Sequence, residues 1–260
     1  MNIIVCVKQV PSTNQVEVDP VTGVLKRDGI DSKLNPYDLY ALEAAFRIKD
    51  EYGATVKTLS MGPNQAMQSL YETMYMGADE SVLLSDRKFA GADVQATSYA
   101  ISSGIKQIGD FDLIICGKQT TDGDTAQVGP EVAEMLGIEH AANVLSIDSV
   151  GDGEITVTVS LDSYFAKQTM KLPCLITMEK DAYTPRLPSY KRKKEMCKKE
   201  IRVLTAADLQ GIDPARLGLN GSPTQVERIF PPEKNADKKL FEGEKLDKKL
   251  FEVLKARKFI

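Results

Sequence analysis

Four short apolar runs, each followed by a stretch of helical spacing, succeed one another in the first half of the chain. The runs are Asn2–Lys8, Thr55–Met61, Ser81–Leu84 and Asp112–Cys116. Such short runs of Ile, Val and Leu read as strands buried on both faces. The helical stretches are Tyr37–Tyr52, Gln65–Met76, Val94–Ile108 and Glu131–Leu136. In the first of them Leu39, Leu42, Ala45, Phe46 and Ile48 make an apolar face. Asn35-Pro36 opens it, Asn as N-cap and Pro in the first turn. Strand and helix in strict alternation imply an α/β fold with a doubly wound, mainly parallel sheet. Ligands of such sheets lie outside the carboxyl ends of the strands. Gln9, Met61-Gly62-Pro63, the loop opening at Ser85 and the loop Gly117–Val128 all fall on that edge.

Past Gly137 the pattern changes. Asn143–Val150, Glu154–Leu161, Lys167–Leu172 and Leu175–Met178 read as an antiparallel extension of the sheet. An inserted hairpin is expected at Val16–Asp19 and Val24–Lys26, around the turn sequence DPVTG. Beyond Lys180 the order weakens through Pro185, Pro188 and a basic run, Lys191–Lys199, then short helices, to Pro231-Pro232. The tail repeats DKKLFE at 237–242 and 247–252, and Leu246, Leu250 and Leu254 recur at helical spacing. The expected organisation is a nucleotide-binding domain over 1–230 and a linker with a C-terminal helical arm over 231–260. The arm either packs on its own domain or embraces a partner subunit.

Several function classes are excluded or disfavoured. A net charge of -4 gives no reason to expect a nucleic-acid partner. No apolar run approaches the ~20 residues of a membrane span, and Ile3–Val7 is too short for a signal peptide. A cytoplasmic protein is the expectation. Cys6, Cys116, Cys174 and Cys197 form no CxxC pair, and the first three, inside apolar strands, read as reduced, buried thiols. His140 is the only histidine, so a histidine-based triad or a His-rich metal site is excluded. A chain with so little reactive chemistry either binds or lets a cofactor react on its behalf.

The loop at 117–128, GKQTTDGDTAQV, joins a strand to a helix start, the arrangement in which α/β proteins hold a nucleotide phosphate. Gly117 and Gly123 permit close backbone approach, and Thr120, Thr121 and Thr125 offer hydroxyls. Asp122 and Asp124 would repel a phosphate and fit better as turn formers, caps or partners of ribose hydroxyls. The plainer alternative is an ordinary connection, though these are usually shorter. GxGxxG and GxxxxGK[ST] are both absent, so neither a standard dinucleotide fold nor a P-loop is indicated. Universal-stress-like and adenine-nucleotide-hydrolase-like domains bind nucleotides on similar sheets without either motif.

CVKQVP (6–11), NPYDLYALEAA (35–45), MGP (61–63), MGADESVLLSDRKFAGADVQATS (76–98) and GKQTTDGDTAQVGPEVAEMLG (117–137) together resemble the beta subunit of electron transfer flavoproteins, in the same order and spacing. The stretch LDSYFAKQTMKLPCLIT departs from the family by lacking its acidic, glycine-rich turn, which bears on residues 161–168. The resemblance implies a heterodimer with an alpha subunit that carries its own FAD. SDRKFAGADVQATS and DGDTAQVGP look like the electron-bifurcating, anaerobe-type members, which implies FAD in this chain as well; AMP is the alternative of simpler members. The ADP half is then expected at Cys6, at Asn35, Pro36, Tyr37 and Asp38, at Met61, and along Gly117, Lys118, Gln119, Thr120, Thr121, Asp122, Gly123, Asp124, Thr125, Ala126, Gln127 and Val128. The flavin end is expected near Ser85, Asp93 and Thr97. NADH would be the electron donor, and ferredoxin or flavodoxin and an acyl-CoA or lactate-type dehydrogenase the acceptors. Leu187 matches the family's partner-anchoring leucine, with Pro188 and Tyr190 beside it and lysines that would steer an acidic partner. A nucleotide-binding regulatory protein without redox function is a third possibility; the arm and the docking loop argue against it.

Overall fold

The computed structural model describes residues 1–12, 31–225 and 240–260. The hairpin expected at 16–26 and Pro231-Pro232 lie outside the described residues. Those described fall into two compact units, one of residues 1–12 and 31–225, the other of 240–260.

The larger unit is built on one sheet. Its strands are β1 (Asn2–Cys6), β4 (Thr55–Met61), β5 (Glu80–Leu84), β6 (Leu113–Gly117), β7 (Glu139–Gly151), β8 (Glu154–Ser160), β9 (Phe165–Lys171), β10 (Cys174–Met178) and β11 (Arg202–Leu204). The spatial order is β11-β5-β4-β1-β6-β10-β7-β8-β9. From β11 across to β7 every pairing is parallel, and β7-β8 and β8-β9 are antiparallel. A separate antiparallel pair, β2 (Gln9–Pro11) and β3 (Ser32–Leu34), follows β1.

Helices cover both faces of the parallel part, as the expected doubly wound fold requires. Strand side chains alternate between faces, so β1 sends Ile3 and Val5 to one core and Ile4 to the other. The first core packs against α1 (Pro36–Tyr52) and α2 (Met67–Met76). The second packs against α3 (Val94–Ile108) and α4 (Val128–Leu136). A strand facing helices on both sides needs apolar residues throughout, hence IIVC and LIIC.

Three expectations need correction. Leu175–Met178 does not belong to the antiparallel extension. It lies in β10, inserted between β6 and β7 and parallel to both. All five residues of β10 are buried, the mark of an interior strand, whereas β8 alternates buried and half-buried positions. Order also returns after Lys180. Short helical turns follow the basic run as expected, at Ala206–Asp208 and Pro214–Arg216, but the helix α5 (Tyr190–Met196) already forms within it and β11 is a regular parallel edge strand. Thirdly, β7 starts at Glu139, ahead of the expected Asn143, because its first residues pair with β10. The 161–164 turn closes without glycine, the Leu161 N–H donating to the Tyr164 carbonyl at 2.9 Å.

The smaller unit contains α6 (Leu246–Ala256), which carries Leu246, Leu250 and Leu254 at the expected spacing. None of its residues is buried. Among the described residues no helix is long and apolar enough to cross a membrane.

Candidate functional site

The chain leaves the neighbouring strands β1 and β6 toward opposite faces of the sheet, through α1 and α4 respectively. At such a switch point the carboxyl ends of two strands part and leave a crevice. Cys6 and Cys116 are register partners at its floor. Their mutual hydrogen bond, then burial, push the Cys116 thiol well above its ordinary pKa. It is therefore a packing group and no nucleophile.

Asn35 organises the crevice from below. It is fully buried, and its Nδ2 donates to Asp38 Oδ1 (2.8 Å) and to the Gln119 carbonyl (2.9 Å). Its Oδ1 accepts from the Thr121 N–H at 3.2 Å. The expected helix-capping bond is absent, because this side chain is committed to the loop. Asn35 thus ties the start of α1 to the 117–128 loop, while its own N–H donates to the Lys8 carbonyl at 2.9 Å.

Asp38 is buried beside it and accepts from the Lys8 N–H at 2.7 Å. Burial outweighs the hydrogen bonds from Asn35, Lys8 and Gly117, and pushes its carboxyl up to about 7. Gly117 serves this contact. A Cβ there would sit 2.5 Å from Asp38 Oδ1 and 2.7 Å from the Tyr37 carbonyl carbon. The missing side chain lets α1, rather than a ligand, approach the loop.

The rest of the loop is half-buried at Lys118, Gln119 and Thr120, exposed from Thr121 to Thr125, and held at its ends. The Lys118 N–H donates to the Met178 carbonyl at 2.9 Å, and its ammonium pairs with Glu179 at 2.8 Å. Gln119 Nε2 donates to Asp124 Oδ1. The Gly123 N–H donates to Thr120 Oγ1. Asp124 and Ala126 lie in the left-handed region, at φ of 55° and 56°. For alanine this costs roughly 1–2 kcal/mol, and such strain collects at ligand clamps. Gln127 precedes α4, and no side chain caps the helix. Pro130 has no N–H, so the Val128 and Gly129 amides head an uncapped helix start with its positive dipole end. Gly129 allows α4 to lie close to the sheet, since a Cβ would meet Thr177 Cγ2 at 2.6 Å.

In sequence Lys8 reads only as the end of a strand, and the fold brings it into the site. Its Nζ lies 2.8 Å from both carboxylate oxygens of Asp122. Partial burial raises the Asp122 pKa, but Lys8 and Thr120 outweigh it and the carboxyl ends below its ordinary value. The available signal was a lone cation directly after an apolar run, at the carboxyl end of a parallel strand.

The expected residues therefore divide. Cys6, Asn35–Asp38 and Gly117–Val128 come together around the β1–β6 crevice. Met61 ends β4, and Ser85 follows β5, farther along the same edge. The Ser85 N–H donates to the Leu204 carbonyl at 2.9 Å. Asp93 is spent locally: it caps α3 through the Ala96 N–H (3.0 Å) and accepts from the Thr224 N–H (3.0 Å) and hydroxyl (2.9 Å). Burial opposes these bonds, and the net effect lowers its pKa. Thr97 sits in the first turn of α3, its N–H bonded to the Asp93 carbonyl. Leu187, Pro188 and Tyr190 are far more exposed than the crevice, Leu187 at 86% and Tyr190 at 72%.

The electron transfer flavoprotein domain matches residues 22–209. The electron transfer flavoprotein subunit beta of Clostridium acetobutylicum is 44% identical over 253 residues, 97% of this chain and 95% of its own. Subunit CarD of the caffeyl-CoA reductase-Etf complex of Acetobacterium woodii is 44% identical over 233 residues, 89% of this chain and 88% of its own. Protein FixA of Azorhizobium caulinodans is 41% identical over 244 residues, covering 92% and 87%. The chain belongs to the electron transfer flavoprotein family, among its beta subunits.

Proposed function

We propose that the chain binds FAD in the β1–β6 crevice and, paired with an alpha subunit, takes electrons from NADH. It passes them to an acyl-CoA or lactate-type dehydrogenase and to ferredoxin or flavodoxin, in an electron-bifurcating system of the cytoplasm. The observation that carries the nucleotide reading is the uncapped start of α4, opening beside the 117–128 loop at the switch point. Its amides and dipole suit a pyrophosphate. The exposed Thr121 and Thr125 hydroxyls and the Asp122 and Asp124 carboxylates suit the sugar and the rim. When bound, the flavin supplies the redox chemistry that these side chains lack. The chain's residues bind and orient it: Asn35 and Asp38 fix the loop, Lys8 supplies a counter-charge, and the loop after β5 borders the outer end. Similarity to a subunit of a caffeyl-CoA reductase-Etf complex supports an acyl-CoA-type partner. Leu187, Pro188 and Tyr190 make the docking surface for that dehydrogenase, and the 231–260 arm embraces the alpha subunit.

One observation favours the AMP reading: the Asp93 side chain is fully engaged by Ala96 and Thr224 and is not free for a flavin. Denaturing the complex with its alpha subunit and quantifying the released nucleotides decides between the two. Two FAD per heterodimer is the expected result. One FAD and one AMP would end the bifurcation reading, and no nucleotide from this chain would end the crevice reading.

Lys8→Met tests the counter-charge. Removing the cation leaves Asp122 facing the phosphates alone. Nucleotide affinity, followed by equilibrium dialysis, is expected to fall about ten-fold or more, since a charge-assisted hydrogen bond is worth ~1.5–3 kcal/mol. Stability should change by less than about 1 kcal/mol, because the ion pair is well exposed. Unchanged affinity would remove Lys8 from the site.

A further inference from the structure

The exposed apolar pair Leu187 and Tyr190 has an unusual foundation. A leucine this exposed on a connecting segment would ordinarily wander among conformers and lose binding energy to ordering. Here both flanks are bolted down. On one side the Arg186 N–H donates to Glu43 Oε2 at 3.1 Å, and its guanidinium reaches the same carboxylate at 2.9 and 3.2 Å. A further bond runs to Asp50 at 2.8 Å. The guanidinium also lies over the Phe46 ring, 5.1 Å from its centroid. All three partners belong to α1, and the Glu43 carboxylate is buried.

On the other side the Ser189 N–H donates to the Tyr75 carbonyl at 2.9 Å. Arg192 donates through Nε to the Met74 carbonyl at 3.0 Å and through Nη2 to the Ala78 carbonyl at 2.7 Å. Met74 and Tyr75 lie in the last turn of α2 and Ala78 two residues past its end, where the helix dipole favours a cation. A planar guanidinium spans two such acceptors at fixed angles, which an ammonium cannot reproduce.

Arg192 lies within the basic run, yet it is half-buried and satisfied by backbone carbonyls. The exposed cations of the run are Lys191, Lys193, Lys194, Lys198 and Lys199, and none of these has a carboxylate in ion-pair range among the described residues. Lys199 donates to the Asp79 carbonyl, Lys193 lies over the Tyr75 ring and Lys194 over the Tyr190 ring, so Lys191 and Lys198 are the cations of the run that face outward without such a contact among the described residues.

We infer that Arg186 and Arg192 are positioning residues that pre-organise the Leu187–Tyr190 segment for a partner dehydrogenase whose contact surface is an apolar pocket rimmed with carboxylates. This rests on the docking reading above. The two arginines touch neither partner nor nucleotide. They remove the ordering cost that Leu187 would otherwise meet on docking.

The test uses the intact heterodimer and an acyl-CoA dehydrogenase reduced by it or reducing it, with the dehydrogenase concentration varied. Arg192→Ala is expected to raise KM for the dehydrogenase about ten-fold, with kcat and nucleotide content within about two-fold of the parent. The rise should persist at high ionic strength, because the lost interaction is internal. Arg192→Lys should recover only part of it, since one ammonium replaces a two-carbonyl fork. Arg186→Lys should behave likewise. Leu187→Ala separates the two ideas. If it leaves KM unchanged, the docking reading itself fails. If it raises KM while Arg192→Ala and Arg186→Lys do not, docking stands and positioning is overturned. Full rescue by Arg192→Lys, or a KM rise abolished by salt, would show surface steering instead and also overturns it. Should Arg192→Ala fail to fold, the Arg192→Lys and Arg186→Lys measurements decide alone.

Discussion

A Gly117→Ala chain should lose its bound nucleotide and melt at a clearly lower temperature. The new methyl would lie 2.5 Å from Asp38 Oδ1, 2.7 Å from the Tyr37 carbonyl carbon and 2.9 Å from the Asp38 nitrogen. Real Cβ atoms do not tolerate such distances, and two of the three neighbours are backbone in the first turn of α1. The third is held by Asn35. Something must therefore shift, and the loop is the weaker party because it is exposed. Overpacking of this kind costs ~1–3 kcal/mol, and here the displaced loop is also the proposed nucleotide site. Gly123→Ala is the control. Its Cβ would meet only the Thr120 hydroxyl, at 3.2 Å, and a hydroxyl can rotate away. A stability change within about 0.5 kcal/mol is expected there. Thermal melts with nucleotide quantification of both variants check the pair, and equal melting points would refute the close-approach argument.

The second large effect is a pH dependence centred on Asp38. Its carboxyl has a pKa of about 7 in the folded chain against an ordinary value of 3.8. Between those values the folded state holds a proton that the unfolded state has released. Stability therefore falls as pH rises from about 4 to about 7 and then levels off. The full span is worth at most about 4 kcal/mol at 1.36 kcal/mol per pKa unit. Asp38→Asn removes the titration, so its melting temperature should show a flatter profile across that window. The substitution has its own cost. Asn offers one acceptor oxygen where Asn35 Nδ2 and the Lys8 N–H both seek one, and its own amide would face a donor. The readout is thus the slope against pH and not the absolute stability. Parallel slopes for parent and variant would show that Asp38 does not titrate in this window.

Most of the parallel sheet was legible because burial on two faces leaves a mark in composition. Ile3–Val5 and Leu113–Cys116 are apolar at consecutive positions, and that alone implies helices above and below. The same mark was present in Cys174–Met178 and was overridden by its position after a run of alternating strands. Sequence order says nothing of spatial order once a strand inserts between two earlier ones. Three-residue β11 was invisible for another reason: a run so short has no periodicity to detect. The candidate site was legible as a loop but not as a mechanism. Asn35 carries the signature of a helix cap, and only the fold reveals that residues 119 and 121 lie close enough to claim its side chain. Lys8 and Asp122 are 114 positions apart, so their pairing has no local trace.

The insertion of β10 also governs when the crevice comes into being. Its parts are drawn from residues 6–8, 35–38 and 117–128, and the loop is pinned to Met178 and Glu179. Contacts of such long sequence separation form slowly, and chains emerge from the ribosome amino end first. Until Cys174–Met178 has been made, β6 lacks one of its two neighbours and β7 lacks its parallel one. A nucleotide held at this crevice consequently arrives after most of the chain is synthesised. It acts as a seal on a finished sheet rather than a template for its assembly, and nascent chains stalled before residue 174 are expected to be without it.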